Sequence, residues 1–523
     1  MKDEQKLVNE ILVVARKLKP RDEEALLAIK RSVCKKLKIA HAPTNILILK
    51  KYRQLVKSKK IMTNLALENI LKTRAVRTMS GVAVISVLTK SQDCPGNCLF
   101  CPTEKNMPKS YLSNEPAVMR AILNNFDPYK QVANRIKALH MTGHLTDKCE
   151  LIVIGGTWSS LNKKYQTSFI KRCYDGFNGT TSKNLAKATQ KNEKAKNRMI
   201  GMTLETRPDY INEAEVKRMR MLGATRVELG VQTTIESVLE KNRRNHTLAQ
   251  TVEATKLLKQ AGFKITYHFM PGMYGSTPAK DLRSYQELFS NKDFQPDQVK
   301  IYPCVVTKNS DLYKLYKNKT YKPYSDKVLI NLLKKIKLAT PPYVRIARLI
   351  RDIPSVSIEA GNKITNLRQI IQKEFHDEKL TCRCIRCHEA KGKQVTLRDI
   401  KLVKRQYKAS DGTEIFLSYE SRDKKTLYAF LRLRLQKNVD WYPALENAAL
   451  VRELHTYGEL MPLKSKSKKV QHIGLGKRLM KEAEKLSKQK GYSKMAVISG
   501  VGVRGYYEKL GYKLEDEYMI KNF

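Results

Sequence analysis

No stretch of these 523 residues stays apolar for the roughly 18 positions that a membrane-crossing helix needs. The N-terminus, MKDEQKLVNEILVVARKLK, lacks the basic start, apolar run and cleavage site of an export signal. The expectation is therefore a soluble, cytoplasmic protein with no membrane partner. Cysteine is scarce too: there are 10, gathered mainly in two short clusters. In a reducing compartment, tight clusters point to metal or iron–sulfur ligation rather than disulfides. No fixed-period repeat is visible. Carboxylates are the most telling shortage, 50 Asp plus Glu against 100 Lys plus Arg, which leaves a formal charge of +50. Like charges repel in a compact chain, so such a surplus points to a polyanion whose counterions are released on binding. A lysine-rich genome or a salt-adapted surface is the competing explanation.

Hydrophobic residues at 41% and charged residues at 29% describe a globular chain, and the length allows roughly two to four domains. Residues 1–75 read as basic helices, with Val8, Ile11, Leu12 and Leu18 near helical spacing and Lys50, Lys51, Arg53, Lys57, Lys59 and Lys60 following. This is either a solvated face or a nucleic-acid-binding arm. Over 76–350, short β-rich runs alternate with helical stretches. Strands are expected at 82–87, 150–154, 199–203, 226–230, 264–268, 299–302 and 344–347, which argues for an α/β parallel sheet or partial (β/α) barrel. Ligands of such folds collect at strand C-terminal ends, where Gly155, Glu205, Gln232 and His268 fall. Residues 351–395 form a connector. Residues 396–523 read as mixed α/β, with strands near 416–418, 428–433, 449–457 and 494–498 and a helix over 474–488. The polar, lysine-rich segment 180–196 reads as an exposed, partly mobile insertion.

Cys94-Pro-Gly-Asn-Cys98-Leu-Phe-Cys101 places three thiols in one loop after an expected strand. Iron–sulfur clusters take four thiolates, so three leave one iron open to another ligand. A structural zinc knuckle is the rival reading, but it wants a fourth ligand nearby and 90–110 offers no obvious one. The spacing, with Phe100 before the last cysteine, resembles that of radical S-adenosylmethionine enzymes. Ile152-Val-Ile-Gly155-Gly156-Thr157 resembles their glycine-rich loop, since glycine lets backbone approach a ligand closely. Thr203-Leu-Glu205-Thr206-Arg207-Pro208-Asp209 sets Glu205 and Arg207 at another strand end, as candidate contacts for the amino and carboxylate groups of S-adenosylmethionine, or as a surface ion pair. Gln232 adds a polar contact at the next strand end.

Gln471-His-Ile-Gly474-Leu-Gly476-Lys477-Arg478 leads into a helix. Glycines there let backbone N–H groups at a helix N-terminus surround a pyrophosphate. The pattern resembles the coenzyme A signature of the GNAT acetyltransferase fold, and the alternative is an ordinary helix cap. Leu454 and Thr456, in Val451-Arg-Glu-Leu454-His-Thr456-Tyr457, lie on a strand placed to pair with a pantetheine arm. In that fold a tyrosine can protonate the leaving thiolate. Tyr506 or Tyr507 can do so here, and core packing is the competing role for at least one of them. Cys382-Arg-Cys384-Ile-Arg-Cys387-His388 is a soft-ligand nest suited to zinc, with His388 or the distant Cys304 as fourth ligand. A second iron–sulfur cluster is the alternative.

Taken in order, these motifs resemble the radical S-adenosylmethionine/GNAT family of tRNA uridine-modifying enzymes, which includes the catalytic subunit of Elongator and single-chain archaeal, bacterial and viral relatives. The resemblance runs from about residue 75 to the C-terminus. It is densest at Arg77-Thr-Met-Ser-Gly-Val-Ala-Val, Ser113-Asn-Glu-Pro-Ala-Val-Met-Arg120-Ala, Leu204-Glu-Thr-Arg-Pro-Asp-Tyr210, Glu228-Leu-Gly-Val-Gln232 and His268-Phe-Met-Pro271. Further matches are Lys300-Ile-Tyr-Pro303, Arg351-Asp-Ile-Pro354, Val451-Arg-Glu-Leu-His455 and Val497-Ile-Ser-Gly-Val-Gly-Val-Arg504-Gly-Tyr-Tyr507. Two passages depart from the family pattern. The gap from Cys94 to Cys98 is narrower than in eukaryotic members, and Pro-Thr-Glu follows Cys101 where Pro-Gly-Gly is commoner.

The resemblance implies a 4Fe-4S cluster, S-adenosylmethionine and acetyl-CoA, with zinc in the connector. It implies a 5′-deoxyadenosyl radical that takes hydrogen from the acetyl methyl group. The resulting carbon radical adds to C5 of the wobble uridine, and thioester hydrolysis leaves 5-carboxymethyluridine. The tRNA anticodon stem-loop is the implied partner of the basic surface, because single-stranded bases splay out readily. A second copy of the chain or accessory Elongator-type subunits complete the partners it raises. Two other functions stay open on the sequence. One is a protein lysine acetyltransferase with a structural iron–sulfur domain, using Glu453 or Glu508 as base. The other is a non-catalytic nucleic-acid-binding scaffold.

Overall fold

The computed structural model describes residues 2–72, 81–390, 397–436, 439–457 and 474–523. Helices α1 (Lys2–Leu18), α2 (Glu23–Lys36), α3 (Asn45–Lys57) and α4 (Leu65–Leu71) come first. Each of the last three opens on a side-chain cap, from Asp22, Thr44 and Asn64, that accepts a free backbone N–H of the first turn. Their apolar stripes close on a core of their own, built from Leu7, Ile11, Leu26, Val33, Ile48, Tyr52 and Leu71 among others. Arg53, expected on a basic face, is turned inward. It donates to Glu68 Oε1 and to the His140 carbonyl, tying this bundle to the helix Pro128–Met141 that flanks the next domain's first strand. Among the described residues no helix is long and apolar enough to cross a membrane.

Seven strands then form one parallel sheet in sequence order: β1 (Ala83–Leu88), β2 (Lys148–Ile154), β3 (Arg198–Thr206), β4 (Arg226–Gln232), β5 (Lys264–Phe269), β6 (Gln298–Ile301) and β7 (Arg345–Arg348). Each overlaps one of the seven expected runs. Sequential order with a helical crossover after each strand curls such a sheet into a partial barrel. The strand period of two splits the side chains. Ile85, Val87, Leu151, Val153, Val227, Leu229, Ile265, Tyr267, Val299 and Ile301 are buried in the main hydrophobic core. Their alternates Ser86, Ile152, Glu205, Glu228, His268 and Lys300 line cavities on the other face. The barrel is therefore apolar outside and charged within.

The connector packs against the same core through Leu367, Ile371, Phe375, Cys382 and Cys384. A second, mixed sheet comes next: β8 (Ile400–Ala409), β9 (Gly412–Ser421), β10 (Leu427–Gln436), β11 (Ala448–Thr456), β12 (Lys494–Val497), β13 (Lys513–Glu515) and β14 (Tyr518–Asn522). Its spatial order is β13-β14-β12-β11-β10-β9-β8. Buried charges lock the two sheets together. Arg452 of β11 donates to Asp297 Oδ2, next to β6, at 2.5 Å, and Lys264 of β5 donates to Glu453 Oε1 of β11 at 2.7 Å.

The segment 180–196 is mostly exposed, as its composition suggests, but it is not without structure. It contains the helix Leu185–Asn192, with Ala188 and Asn192 fully buried. The Asn192 side chain donates to Asn178 Oδ1 at 2.8 Å and to the Asn197 carbonyl at 3.2 Å, and it accepts from Met199 N at 2.8 Å. Polar residues are buried here because every one of those groups finds a partner.

Candidate active site

At the C-terminal end of the barrel, the loop after β1 carries Cys94, Cys98 and Cys101 into a cavity of about 280 Å³ that Gly156, Glu205, Arg207, Gln232 and Arg244 also line. Gly155 and Gly156 both have positive φ, +136° and +96°, which side-chain-bearing residues rarely adopt. A Cβ on Gly155 would lie 2.1 Å from Thr89 Oγ1, so Gly155 serves the close approach of the β1 and β2 ends while Gly156 faces the cavity. Glu205 and Arg207 do not pair with each other. Glu205 accepts the Tyr111 hydroxyl at 2.7 Å and stands 3.8 Å from His268 Nδ1. Arg207 forks onto Asp209 at 2.9 and 2.8 Å, and its Nη2 also reaches the carbonyls of Arg244 and Asn245. Its Nη1 is buried without a hydrogen-bond partner, as is Gln232 Oε1. Gln232 sits at φ +72° where the β4–β5 register shifts, so a β-bulge aims it. Orphaned buried polar atoms at the rim of a cavity are what a polar ligand would satisfy.

Cys98 is buried. A hydrogen bond from the Cys101 thiol, aided by the charges of Arg244 and Arg207, pulls its thiol well below the usual range, favouring the thiolate that metals bind. Arg244 escaped the sequence reading, because Arg243-Arg244 looks like any surface basic pair. Below this cavity, His268 Nε2 lies 3.0 Å from Glu228 Oε2, and Lys300 donates to the same oxygen. This charged column runs along the barrel interior.

At the opposite end, a cavity of about 1530 Å³ lies between the barrel and the mixed sheet, lined by Leu454, Thr456, Gly474, Gly476, Tyr506 and Tyr507. β11 pairs with β12 only as far as Val451↔Val497. Beyond that point β12 ends while β11 continues to Thr456, so the two strands part and Leu454 and Thr456 border the gap. Gly474 caps the helix Leu475–Gln489 at φ +76°. A Cβ on Gly476 would stand 3.0 Å from the Tyr506 hydroxyl, so that hydroxyl lies over the helix start. Tyr507 is buried in the domain core, its ring edge-on to Tyr506 and Tyr512. Gln471 lies outside the described residues. The two cavities share the lining residues Ser86, Arg120, Ile152, Lys300, Arg348 and Asp352. The barrel interior is thus the partition between them.

The sulfur atoms of Cys382, Cys384 and Cys387 all lie within 4.8 Å of one another, close enough to share a single ion. Neither fourth ligand suggested by the sequence joins them. His388 Nδ1 is spent on the Cys384 carbonyl at 3.3 Å, and Cys304 is buried in a separate apolar cluster with Tyr321. Lys337 Nζ is the near neighbour, 3.5 Å from Cys387 Sγ.

The Radical SAM superfamily description matches residues 88–287, and the Radical_SAM C-terminal domain matches 296–377. That superfamily implies a 4Fe-4S cluster and S-adenosylmethionine. The tRNA uridine(34) acetyltransferase of Methanocaldococcus jannaschii is 44% identical over 472 residues, 86% of each chain. That of Dehalococcoides mccartyi is 42% identical over 456 residues, 85% of this chain and 98% of the relative. Elongator complex protein 3 of Homo sapiens is 38% identical over 469 residues, 86% of each chain. Among solved structures, the archaeal Methanocaldococcus infernus Elp3 with an N-terminal deletion superposes with a TM-score of 0.75 at 42% identity. It covers 85% of this chain and 100% of that one. The chain belongs to the radical S-adenosylmethionine family that comprises the tRNA uridine(34) acetyltransferases and Elongator complex protein 3.

Proposed function

We propose that this protein uses acetyl-CoA and S-adenosylmethionine to build a carboxymethyl group on C5 of the wobble uridine of tRNA. The observation that carries the reading is the pair of cavities with a common wall, a cysteine-lined one at one end of the barrel and, at the other, one lined by Gly474, Gly476, Leu454 and Thr456. A purely hydrolytic or amine-acetylating enzyme has no use for the first, and a radical enzyme without an acyl donor has no use for the second.

Cys94, Cys98 and Cys101 would hold the cluster. When bound, the cluster and S-adenosylmethionine supply the means to take a hydrogen atom from an unactivated methyl group. The remaining work falls to the chain. Glu205, the unpartnered Arg207 Nη1 and Gln232 Oε1 bind the amino and carboxylate ends of the methionine moiety, with Gly156 leaving it room and Gly155 holding the β1 and β2 ends together behind it. Gly474 and Gly476, with Gln471, open a helix N-terminus to the pyrophosphate of acetyl-CoA. The free edge of β11 at Leu454 and Thr456 pairs with pantetheine and points the acetyl group into the barrel. Tyr506 delivers a proton to the departing thiolate, and Tyr507 packs behind it. The excess of cations around both cavities, and the basic N-terminal helices, track the anticodon stem-loop. Cys382, Cys384 and Cys387 hold a structural zinc that fastens the connector.

Lysine acetylation is disfavoured by the state of Glu453. Burial raises its carboxyl, but Lys264 at 2.7 Å and Arg432 at 2.9 Å override that and hold it at about 2, too acidic for a base that must deprotonate an ammonium.

The test is anaerobic cluster reconstitution of the full chain, then incubation with reductant, S-adenosylmethionine, acetyl-CoA and tRNA. Digested RNA is searched by mass spectrometry for 5-carboxymethyluridine. Product that disappears in both Cys98→Ala and Gly474→Glu is expected. Acetylated amine with no modified uridine would refute the reading.

A further inference from the structure

Arg244 lies in the loop between the helices Glu236–Lys241 and Leu248–Gln260 and is buried. Its Nη1 stands 3.3 Å from Cys98 Sγ, its Nη2 donates to the Gly230 carbonyl near the end of β4, and its Nε has no partner. Its own carbonyl accepts from Arg207 Nη2 at 3.0 Å. None of the ion pairs among the described residues includes Arg244, whereas its neighbour Arg207 is neutralised by Asp209. A buried guanidinium without a carboxylate is costly, and an anion within reach offsets that cost. Here the nearest candidate is the sulfur of Cys98.

We infer that Arg244 is a positioning residue of the radical site, which donates to the Cys98 thiolate and raises the reduction potential of the cluster held there. The inference rests on the reading of Cys94, Cys98 and Cys101 as cluster ligands. A cluster gains negative charge when it takes an electron. A fixed cation with an N–H aimed at one of its sulfurs therefore stabilises the reduced form more than the oxidised one. The second arm of the fork matters as well. By gripping the Gly230 carbonyl, Arg244 ties the cysteine loop to the bulged strand end that aims Gln232. One side chain thus links the electron-accepting loop to the S-adenosylmethionine contacts.

The experiment is a redox titration of the reconstituted full chain, followed by electron paramagnetic resonance, for wild type, Arg244→Gln and Arg244→Lys, with iron content measured on each. Arg244→Gln is expected to keep its iron and to lower the reduction equilibrium at least tenfold, about 59 mV for one electron. Arg244→Lys keeps the charge but loses the fork, so its potential should fall in between. A stronger reductant should then restore 5′-deoxyadenosine formation, which damage to the fold would not allow. Wild-type potentials in both loaded variants would overturn the inference. If Arg244→Gln takes up no iron, Arg244→Lys decides by the same criterion. Loss of iron from both would overturn it in favour of a role in cluster assembly. A wild-type chain that loads no cluster would instead sink the reading of the three cysteines, a separate result.

Discussion

Replacing Gly500 with alanine puts a methyl group where the backbone of another domain already runs. Gly500 opens the loop between β12 and the Tyr506 helix, and that loop lies against β3 of the barrel. An ideal Cβ there falls 2.1 Å from the Ile200 carbonyl oxygen, 2.3 Å from its carbon and 2.9 Å from Gly201 N. All three atoms are backbone of β3, at the point where its register with β2 shifts, so none is a flexible side-chain end that can swing aside. The loop must instead retreat by about an ångström to reach an allowed separation. Overpacking typically costs about 1–3 kcal/mol, and rigid neighbours on both sides place this case near 3. At 1.4 kcal/mol per tenfold, that lowers the docking equilibrium constant about 150-fold. The retreat also pulls on Arg220, whose Nη2 donates to the Ser499 carbonyl at 3.3 Å. Hydrogen–deuterium exchange of peptides covering 498–504 reads the change directly, because local opening sets their exchange rate. Gly505→Ala is the matched control: it lies in the next turn, and the nearest atom to its Cβ is the flexible Glu508 Oε2 at 3.7 Å. Exchange in 498–504 should accelerate on the order of 100-fold in Gly500→Ala and stay unchanged in Gly505→Ala. Uridine modification should drop, while 5′-deoxyadenosine formation at the far end of the barrel continues. Unchanged protection in Gly500→Ala would refute the claim that this contact holds the two halves in register.

Three other outcomes are expected from the same geometry. Burial pushes the Lys259 ammonium down from 10.5 to about 7, where it faces Arg452, Asp297, Glu414 and Arg434. Between those values the unfolded chain binds a proton that the folded one does not, so stability should rise with pH from about 7 upward. Denaturation midpoints across that range should show the slope in wild type and a flatter one in Lys259→Met. Tyr506→Phe should cut acetyl-CoA consumption by about 100-fold or more if its hydroxyl is the proton donor. Tyr507→Phe, in the packed core, should leave turnover unchanged, and equal losses in steady-state assays would refute the assignment. Cys384→Ser should strip about one zinc per chain, as elemental analysis of the unreconstituted protein would report. Full zinc occupancy in that variant would place the metal elsewhere.

What could be read from the sequence was whatever is encoded locally. The seven barrel strands were found because each is a short β-rich run set between longer helical stretches. The three candidate cluster cysteines share one loop, and the glycines of the coenzyme A pattern share one helix start. β8 went unrecognised because it is an edge strand whose Lys401, Lys404 and Lys408 face outward, and its sequence resembles a basic loop. The helix at 185–192 went unassigned for a different reason. Polar residues count as exposed in any composition argument, and only the fold supplies Asn178, Asn197 and Met199 as partners for Asn192.

Arg244 and Gly500 belong to the same class at longer range. Arg244 lies 146 residues from the sulfur it contacts, and Gly500 is about 300 residues from the strand it touches. Neither leaves a mark in its own neighbourhood beyond a basic dipeptide and a small residue after a strand. Under the function proposed above, a radical reaction fed by an acyl donor depends on both kinds of residue, because the two candidate cavities lie at opposite ends of one barrel. The motifs supply the groups that react, and these long-range contacts fix where the groups stand relative to one another. A conservative substitution at the Gly500 contact should therefore uncouple the two half-reactions, whereas one at Arg244, like a substitution in a motif, acts on the half to which it belongs.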